Sequence, residues 1–289
     1  MLVNMNEVLA AVQTRGCCVG AFDTPNLEIL MAVIRAAEKR KEPVIIQHAQ
    51  LHEEETSIDQ HAQLHEPEMA LRVIGPIMVR MAKESTVPVC VMLDHGEDLD
   101  YVKKALDLGF SAVMYDGSSR PYEENVRLTR ETVAMAQEYG ANVEAEIGIV
   151  TGHEGKEFVG GAYTDPELAA KYVKETGIDA LAASVGTVHG FYAAQPKLDF
   201  DRIVKIRELT GVPLVMHGGS GISVEDTQKA IRCGIRKINY FSYMSNAGVK
   251  GVQKLLEEKN VKYFHELANA AIDAMEEDVL NAMAMFALE

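Results

Sequence analysis

The chain has 289 residues, of which 47% are hydrophobic and 25% charged, and its formal net charge is -15. A chain of this length and apolar content is able to bury a large core, as one large domain or as two small ones. The acidic excess argues against nucleic acid as a partner, because proteins that bind nucleic acid present basic surfaces to the phosphates.

Short apolar runs rich in β-branched residues alternate with helical patterns along the chain. We interpret as strands the runs CCVGAF (17–22), PVIIQHA (43–49), VPVCVML (87–93), AVMYDG (112–117), NVEAEIG (142–148), ALAASVG (180–186), PLVMHG (213–218) and KINYFS (237–242). Apolar residues recur at helical spacing over 26–40, 67–84, 98–108, 122–139, 165–176, 199–209 and 223–232. Eight such units predict an α/β fold, the (β/α)8 TIM barrel. A doubly wound open sheet is the alternative, weakened because no G-x-G-x-x-G motif follows the first strand.

Both ends of the chain carry helical patterns. The first residues, MLVNMNEVLAAVQ, predict an amphipathic helix and not a signal peptide, and residues 261–287 predict a C-terminal helical extension. No linker rich in Pro, Ser or Gly divides the chain, so we expect one domain over residues 1–289. No apolar stretch of membrane length is present, and the four cysteines form no disulfide framework. These features favour a cytoplasmic protein without a membrane partner.

A repeat interrupts the pattern, because residues 47–53 and 60–66 both read QHAQLHE. The copies place four histidines in a polar segment after the second predicted strand: His48, His52, His61 and His65. One interpretation is a His-rich metal-binding loop, and the other is a local duplication in a solvated loop on the active-site face. We favour the duplication, since no cysteine or fixed ligand spacing supports a metal site there.

Polar residues gather where the predicted strands end, and the C-terminal ends of barrel strands face the active site. His95, His189 and His217 follow the third, sixth and seventh strands, each beside a glycine. A single histidine at such a position is more often a core residue. Three imidazoles that converge on one mouth, with a fourth position open, form the ligand set of a catalytic Zn²⁺. The other polar residues at strand ends are Asp94, Asp116, Glu146 and Asn239.

A glycine-rich segment, HGGSG (217–221), follows the seventh predicted strand, and NYFS (239–242) follows the eighth. This is the place where TIM barrels commonly bind phosphate. Gly218, Gly219 and Gly221 let backbone N–H groups approach an anion, and the Ser220 hydroxyl is a further donor. A tight turn without a ligand is the alternative. The metal-ligand candidate in the same motif favours the phosphate interpretation.

Seven blocks of the sequence, in order and spread over most of the chain, match one known family. They are LDHGEDLD (93–100), SAVMYDGS (111–118), VEAEIGIVTGHEG (143–155), YTDPELA (163–169), TGIDALAASVGTVHGFY (176–192), PLVMHGGSG (213–221) and KIN (237–239). In these blocks the chain resembles the class II, metal-dependent ketose-bisphosphate aldolases, which include fructose- and tagatose-bisphosphate aldolases. The resemblance implies a lyase that cleaves a ketose 1,6-bisphosphate to dihydroxyacetone phosphate and an aldehyde, through an enediolate stabilised by Zn²⁺.

The resemblance also implies roles for individual residues. His95, His189 and His217 become the Zn²⁺ ligands, and Asp116 and Glu146 match carboxylates near an alternative metal position. The residues assigned to catalysis are Asp94 as acid/base on the aldehyde-derived hydroxyl, Glu154 as the mobile glutamate that moves protons at the ketone-derived carbon, and Asn239. The residues assigned to the substrate and its phosphate are Gly190, Gly218, Gly219, Ser220, Ser242 and Lys262. A monovalent cation (Na⁺ or K⁺) beside the phosphate and a homodimer or homotetramer are further implied. No Schiff-base lysine is expected, since Lys237 opens the eighth predicted strand at its other end.

Departures from the family pattern cluster on the aldehyde side of the predicted site. They are Asp23 for Asn, Ala49 for a hydroxyl residue, Ala193 for Lys, Lys262 for Arg, and Tyr240 and Phe241 for smaller or acidic residues. One alternative is therefore an aldolase for a different ketose 1-phosphate with another aldehyde half. A second is a sugar-phosphate-binding barrel without catalysis, and a third is a metal-dependent hydrolase or epimerase that uses the same three histidines.

Overall fold

Eight parallel strands pair in chain order, and the first pairs with the last, which closes a barrel. The computed structural model describes residues 1–51, 53, 69–148, 163–192 and 196–289. The strands are Val19–Asp23 (β1), Val44–Ala49 (β2), Val89–Gly96 (β3), Ala112–Tyr115 (β4), Asn142–Ile147 (β5), Ala180–Ala183 (β6), Leu214–Met216 (β7) and Ile235–Tyr240 (β8). The predicted (β/α)8 TIM barrel is confirmed.

A helix follows every strand of the barrel. The helices within the described residues are Met5–Gln13 (α1), Leu27–Arg40 (α2), Met69–Glu84 (α3), Leu99–Asp107 (α4), Tyr122–Tyr139 (α5), Pro166–Thr176 (α6), Phe200–Thr210 (α7), Val224–Cys233 (α8), Ser242–Glu258 (α9) and Phe264–Phe286 (α10). Local sequence sets several of their boundaries. Asp165 accepts the Leu168 N–H ahead of α6, and Ser223 accepts the Asp226 N–H ahead of α8. In the part of the chain that the structure describes, no helix combines the length and apolar character of a membrane span.

The alternation of side chains along each strand divides the core into two clusters. On β2, for example, Val44 and Ile46 pack outward against the helices, whereas Ile45 packs inside the barrel. The inner cluster also contains Met5 and Val8 of α1, which therefore covers the N-terminal end of the barrel. The side chains of the candidate active site lie at the opposite, C-terminal end of the barrel.

The first three residues of the first copy of QHAQLHE complete β2, as the predicted strand over 43–49 indicates, so this part of the repeat is not a solvated loop. His48 is fully buried on the outer face of the strand, and its Nε2 lies 2.8 Å from the hydroxyl of Tyr101 on α4. This histidine therefore belongs to the packed interior between strand and helix. His52, His61 and His65 lie outside the described residues.

Glu53, the last residue of the first copy, ties the end of this segment to α3. Its carboxylate accepts the backbone N–H groups of Ala70 and Leu71 at 2.8 Å each and the Tyr101 hydroxyl at 2.6 Å. Burial alone would raise the pKa of Glu53, but the hydrogen bonds from His48, Tyr101 and the two amides outweigh it and lower the pKa to about 2. The carboxylate is held ionised at the N-terminal end of α3, where the helix dipole favours negative charge.

Candidate active site

Three histidine side chains converge at the C-terminal end of the barrel. His95 lies at the end of β3, His189 follows β6 and His217 directly follows β7. One ring nitrogen of each lies within 4.8 Å of those of the other two. The structure thus brings together the three predicted metal ligands, although they come from strands that are far apart in the sequence.

Two carboxylates fix which nitrogen of each ring carries the proton. Nδ1 of His95 lies 2.7 Å from Oδ2 of Asp116, and Nε2 of His217 lies 3.0 Å from Oε1 of Glu144. An ionised carboxylate only accepts hydrogen bonds, so both of these nitrogens are the protonated ones. The remaining nitrogens, Nε2 of His95 and Nδ1 of His217, then face each other at 3.0 Å. A proton on Nε2 of His95, or a metal ion bound by both rings, satisfies this contact.

The charges around the histidines shift their pKa values in opposite directions. Burial alone would lower the pKa of His95, but the carboxylates of Asp94 and Asp116 outweigh it and raise the pKa well above its ordinary value. Burial, together with the positive charges of His95 and His217, lowers the pKa of His189 to about 3. The Nε2 atom of His189 is buried and has no hydrogen-bond partner among the described residues. This neutral ring is ready to act as a ligand.

Asp116 and Glu146 lie beside the three histidines, as the sequence predicts. Together with His95 they form a second group whose ligand atoms all lie within 4.8 Å of one another. Burial alone would raise the pKa of Asp116, but the His95 ring and the hydrogen bonds of Ser118 outweigh it and lower the pKa. Glu146 is 1% exposed. The arrangement is compatible with an alternative metal position next to the first.

Asp94 is a buried carboxylate held by two amides at the edge of the histidine cluster. It accepts Nε2 of Gln47 at 3.0 Å and Nδ2 of Asn239 at 3.2 Å. Burial would raise the pKa of Asp94, but the positive charges of His95, His217 and Lys237 outweigh it and lower the pKa to about 2. Asp94 is therefore ionised at neutral pH and is positioned by side-chain donors, as a general base must be.

An open cleft lies over these groups. The predicted site residues that line it are Asp94, His95, His189, Gly190, Gly218, Ser220, Asn239 and Ser242. The residues that depart from the family pattern and also line it are Asp23, Ala49, Tyr240 and Phe241. The cleft thus joins the histidine cluster, the glycine-rich segment and the ends of β1, β2 and β8.

The glycine-rich segment packs tightly against its neighbours. The φ of Gly218 is +63°, and a Cβ atom there would lie 2.1 Å from the carbonyl oxygen of Val188. The N–H of Gly219 is donated to the carbonyl oxygen of Asn239 at 3.0 Å, so it serves the loop and is not free for an anion. The Ser220 hydroxyl accepts the Phe241 N–H at 3.1 Å, just before α9 begins at Ser242. The N-terminal end of α9 faces the cleft, which suits a phosphate.

Two positions that the sequence singles out, Glu154 and Ala193, lie outside the described residues. Lys262 is exposed on the connection between α9 and α10 and does not line the cleft. Its assignment to the substrate phosphate stays a prediction.

The sequence did not reveal a buried group beneath the histidines. Glu144, Lys237 and Gln47 are each 0% exposed. Lys237 was expected to open the eighth strand, whereas β8 begins two residues earlier and places the lysine inside the barrel. Strand alternation was the available signal, because Glu144 shares a strand face with Glu146, and Lys237 shares one with Asn239.

Residues 3–289 match the profile of the family described as fructose-bisphosphate aldolase class-II. The chain belongs to the class II fructose-bisphosphate aldolase family. It is 40% identical over 287 residues to the fructose-bisphosphate aldolase of Geobacillus stearothermophilus, covering 99% of this chain and 96% of that protein. It is 37% identical over 286 residues to the 6-phospho-5-dehydro-2-deoxy-D-gluconate aldolase of Halalkalibacterium halodurans, with the same two coverages.

The fold of this aldolase is also similar to that of solved relatives. The crystal structure of the YdjI aldolase from Escherichia coli K12 aligns with a TM-score of 0.85 and 33% identity, covering 99% of this chain and 97% of the other. Class II aldolases are lyases that depend on zinc and act on phosphorylated ketoses. The predicted family and enzyme class are confirmed. The comparisons do not favour the alternatives, an aldolase for a different ketose 1-phosphate with another aldehyde half and a sugar-phosphate-binding barrel without catalysis.

Proposed function

We propose that this chain cleaves fructose 1,6-bisphosphate, or a close ketose 1,6-bisphosphate such as the tagatose isomer, to dihydroxyacetone phosphate and an aldehyde. The observation that carries the proposal is that Nε2 of His95 and Nδ1 of His217 face each other 3.0 Å apart, beside Nε2 of His189, which has no hydrogen-bond partner among the described residues. Three imidazoles with an open side are the donor set of a catalytic zinc site.

The residues fit a Zn²⁺ ion held by His95, His189 and His217. When bound, the ion would supply Lewis-acid stabilisation of the negative charge that develops on the ketose oxygens during cleavage. Hydrogen bonds to Asp116 and Glu144 orient the rings of His95 and His217. The other nitrogen of each ring then faces this position. Asp116 and Glu146 offer the alternative position beside it.

Asp94 is the group that receives the proton released by bond cleavage. The hydroxyl at C4 of the ketose must lose its proton as the C3–C4 bond breaks, and an ionised carboxylate at the edge of the cleft can accept it. The side-chain amides of Gln47 and Asn239 hold Asp94 in place. The electron pair of the broken bond stays with the dihydroxyacetone-phosphate half, and the resemblance assigns its protonation to Glu154.

The phosphate of that half is assigned to the end of the cleft between β7 and β8. Gly190, Gly218, Ser220 and Ser242 line it there, and the N-terminus of α9 adds a favourable dipole. Gly219 shapes the loop through its bond to Asn239. A monovalent cation beside the phosphate remains a prediction from the resemblance.

The remaining assignments concern the whole molecule. We infer that residues 1–289 act as one domain in the cytoplasm and that the chain forms a homodimer or homotetramer. In such an assembly, Lys262 is the candidate for contacting the distal phosphate in a neighbouring subunit, since it is exposed and lies outside the cleft of its own chain. Sedimentation equilibrium and a Lys262→Ala variant test the last two points.

The proposal is tested by cleavage assays that follow dihydroxyacetone phosphate, with metal content measured in the same sample. The substrates are fructose 1,6-bisphosphate, tagatose 1,6-bisphosphate and 6-phospho-5-dehydro-2-deoxy-D-gluconate. We expect a kcat/KM of at least about 10⁴ M⁻¹s⁻¹ with one of the two bisphosphates. Removal of metal by EDTA should abolish turnover, and Zn²⁺ should restore it. Turnover that survives complete metal removal would contradict the proposal.

Borohydride treatment in the presence of substrate is the control for lysine chemistry. Nζ of Lys237 lies 2.7 Å from Oδ1 of Asn239 inside the barrel. The experiment therefore tests whether this lysine forms a Schiff base with the substrate. We expect no inactivation by borohydride and no substrate-derived mass added to the chain. A covalent adduct on Lys237 would replace the metal-dependent mechanism with a lysine-dependent one.

A further inference from the structure

A buried ion pair lies directly beneath the histidine cluster and contacts both halves of the catalytic machinery. Glu144 on β5 and Lys237 on β8 come from opposite parts of the barrel, and both side chains are fully buried. Nζ of Lys237 lies 2.9 Å from Oε2 and 3.1 Å from Oε1 of Glu144. Glu144 also contacts His217, a candidate metal ligand. Lys237 also contacts Asn239, which holds the general base Asp94.

The partner of Glu144 is His217. Oε1 of Glu144 lies 3.0 Å from Nε2 of His217, so the carboxylate selects the tautomer with the proton on Nε2. The lone pair of Nδ1 then points toward His95 and the proposed metal position. Without an acceptor at Nε2, the ring would be free to adopt the other tautomer, whose Nδ1 carries a proton and does not ligate.

The further partner of Lys237 is Asn239. Nζ of Lys237 donates to Oδ1 of Asn239 at 2.7 Å, which fixes the orientation of the amide. Nδ2 must then face the other way, toward both oxygens of Asp94 at 3.2 Å. A flipped amide would place its oxygen against the Asp94 carboxylate and repel it.

We propose that Glu144 and Lys237 are positioning residues for the aldolase reaction: Glu144 turns the lone pair of His217 toward the metal position, and Lys237 holds Glu144 and the amide of Asn239 that orients Asp94. Neither side chain lines the cleft, so neither touches the substrate. The inference rests on the proposed function only in assigning the metal position and Asp94.

The hypothesis that the ion pair is only structural predicts a different outcome. Replacing a buried pair with apolar side chains of similar volume is often neutral or stabilising, since the cost of desolvating two charges disappears. If the pair only filled the barrel, Glu144→Leu/Lys237→Met would leave the histidine tautomer and the metal affinity unchanged. If the pair positions His217, the same double variant remains folded but loses the Nε2–H tautomer of His217 and binds the metal more weakly.

The experiment compares two double variants with a control. Glu144→Leu/Lys237→Met removes the acceptor for His217 and the donor for Asn239. Glu144→Gln/Lys237→Met keeps an acceptor for His217 and removes only the donor for Asn239. Met114→Leu, a fully buried position in the inner core, is the control for a change inside the barrel. The readouts are histidine tautomers in the metal-free protein by ¹⁵N NMR, Zn²⁺ affinity by chelator competition, and kcat at saturating Zn²⁺.

We expect Glu144→Leu/Lys237→Met to lose the Nε2–H signature of His217 and to bind Zn²⁺ about 10- to 100-fold more weakly. Glu144→Gln/Lys237→Met should bind Zn²⁺ within about 10-fold of the parent. Its kcat should still fall about 10-fold or more, because Asn239 no longer orients Asp94. Since the amide variant keeps the volume of Glu144, it tests the Asn239 arm even if the apolar variant does not fold.

The proposal is overturned if the apolar double variant matches Met114→Leu in tautomer and Zn²⁺ affinity, or if the amide variant retains the parent kcat. The tautomer and the affinity are measured without substrate. A second outcome is that the apolar double variant shows the expected changes in tautomer and Zn²⁺ affinity while the parent protein cleaves none of the ketose phosphates. That result would refute the proposed function and still support the positioning role of Glu144.

Discussion

Nε2 of His95 and Nδ1 of His217 lie 3.0 Å apart, although a carboxylate holds the proton of each ring on the opposite nitrogen. Neutral rings in these tautomers repel each other at this distance. A proton shared between them, or a metal ion bound by both, removes the repulsion. The carboxylates of Asp116 and Glu144 thus prepare the two rings for a cation before it arrives, which is the preorganisation expected of a metal site.

Asp116→Asn should reverse the tautomer of His95. The Ser118 N–H donates to Oδ1 of Asp116 at 3.0 Å and would hold the amide oxygen of the asparagine there. The amide NH₂ would then face Nδ1 of His95, which must accept, so the ring proton moves to Nε2. We expect Zn²⁺ affinity to fall about 10- to 100-fold, measured by chelator competition. Asp116→Ala, which imposes no donor, should weaken binding less, and equal losses in both variants would contradict this account.

Asp94→Asn should separate proton transfer from metal binding. Its nearest oxygen lies 3.8 Å from Nε2 of His95, too far for a hydrogen bond, and an asparagine fills the same space. We expect kcat to fall about 10²- to 10⁴-fold, the contribution typical of a general base. Zn²⁺ content should stay that of the parent. Loss of the metal in Asp94→Asn would instead place Asp94 among the ligands.

The barrel and its three histidines were predictable because they depend on patterns that survive in a single sequence. Eight apolar runs separated by helical periods define the architecture, and the C-terminal ends of strands are a known location for catalytic groups. His95, His189 and His217 stand at such ends, beside glycines that break the strand. The fold and the convergence of the three histidines follow from local patterns alone.

The ion pair beneath them was not predictable in the same way. Glu144 and Lys237 are charged residues within apolar runs, and the sequence does not show that the two meet across the barrel. The predicted start of the eighth strand at Lys237 was also wrong, because β8 begins two residues earlier, at Ile235. His48 lies in β2, as the predicted strand over 43–49 indicates, whereas the assignment of the whole repeat to a polar segment after that strand was wrong for this residue. Buried polar pairs depend on partners that are distant in sequence.

Glu53→Gln should change how stability depends on pH. Because the pKa of Glu53 is lowered to about 2 in the folded chain, its stabilising effect is complete above the ordinary glutamate value of 4.5 and is lost as the pH falls toward 2. We expect the variant to lose about 1–3 kcal/mol in the free energy of unfolding at pH 7. Urea unfolding should show this difference shrinking between pH 5 and pH 3.

The control for this prediction is Glu131→Gln. Glu131 pairs with Arg127 at i,i+4 on the exposed surface of α5, where an ion pair contributes little. We expect a change within about 0.5 kcal/mol at every pH. A loss in Glu53→Gln that is constant from pH 7 to pH 3 would show that the carboxylate charge is not what stabilises this junction.

Deletion of residues 54–66 should leave a folded, active enzyme. It removes the second QHAQLHE and joins Glu53 to Pro67. The contacts made by Gln47, His48 and Glu53 belong to the first copy. Glu53 already reaches the amides of Ala70 and Leu71, so the remaining residues can bridge the gap at 3.8 Å per Cα step.

The measurements for the deletion are thermal stability, kcat and metal stoichiometry. An unchanged stoichiometry supports the interpretation of the repeat as a local duplication. Loss of one metal equivalent, reproduced by His61→Gln/His65→Gln in the full-length chain, would instead establish the repeat as a metal-binding segment.

Gly218→Ala should damage the site far more than an ordinary glycine substitution. Gly218 has φ +63°, and its new Cβ would lie 2.1 Å from the backbone oxygen of Val188, next to His189. The matched control is Gly211→Ala, with φ +70° and no atom of the described part of the chain within 4 Å of the added Cβ. Gly211→Ala should cost about 1–2 kcal/mol of stability through backbone strain and leave Zn²⁺ affinity intact. Gly218→Ala carries the same strain plus the clash, so it should cost more stability and also weaken Zn²⁺ binding, as the backbone beside His189 shifts. Equal effects in the two variants, measured by urea unfolding and chelator competition, would show that the close approach of the two loops does not set the position of His189.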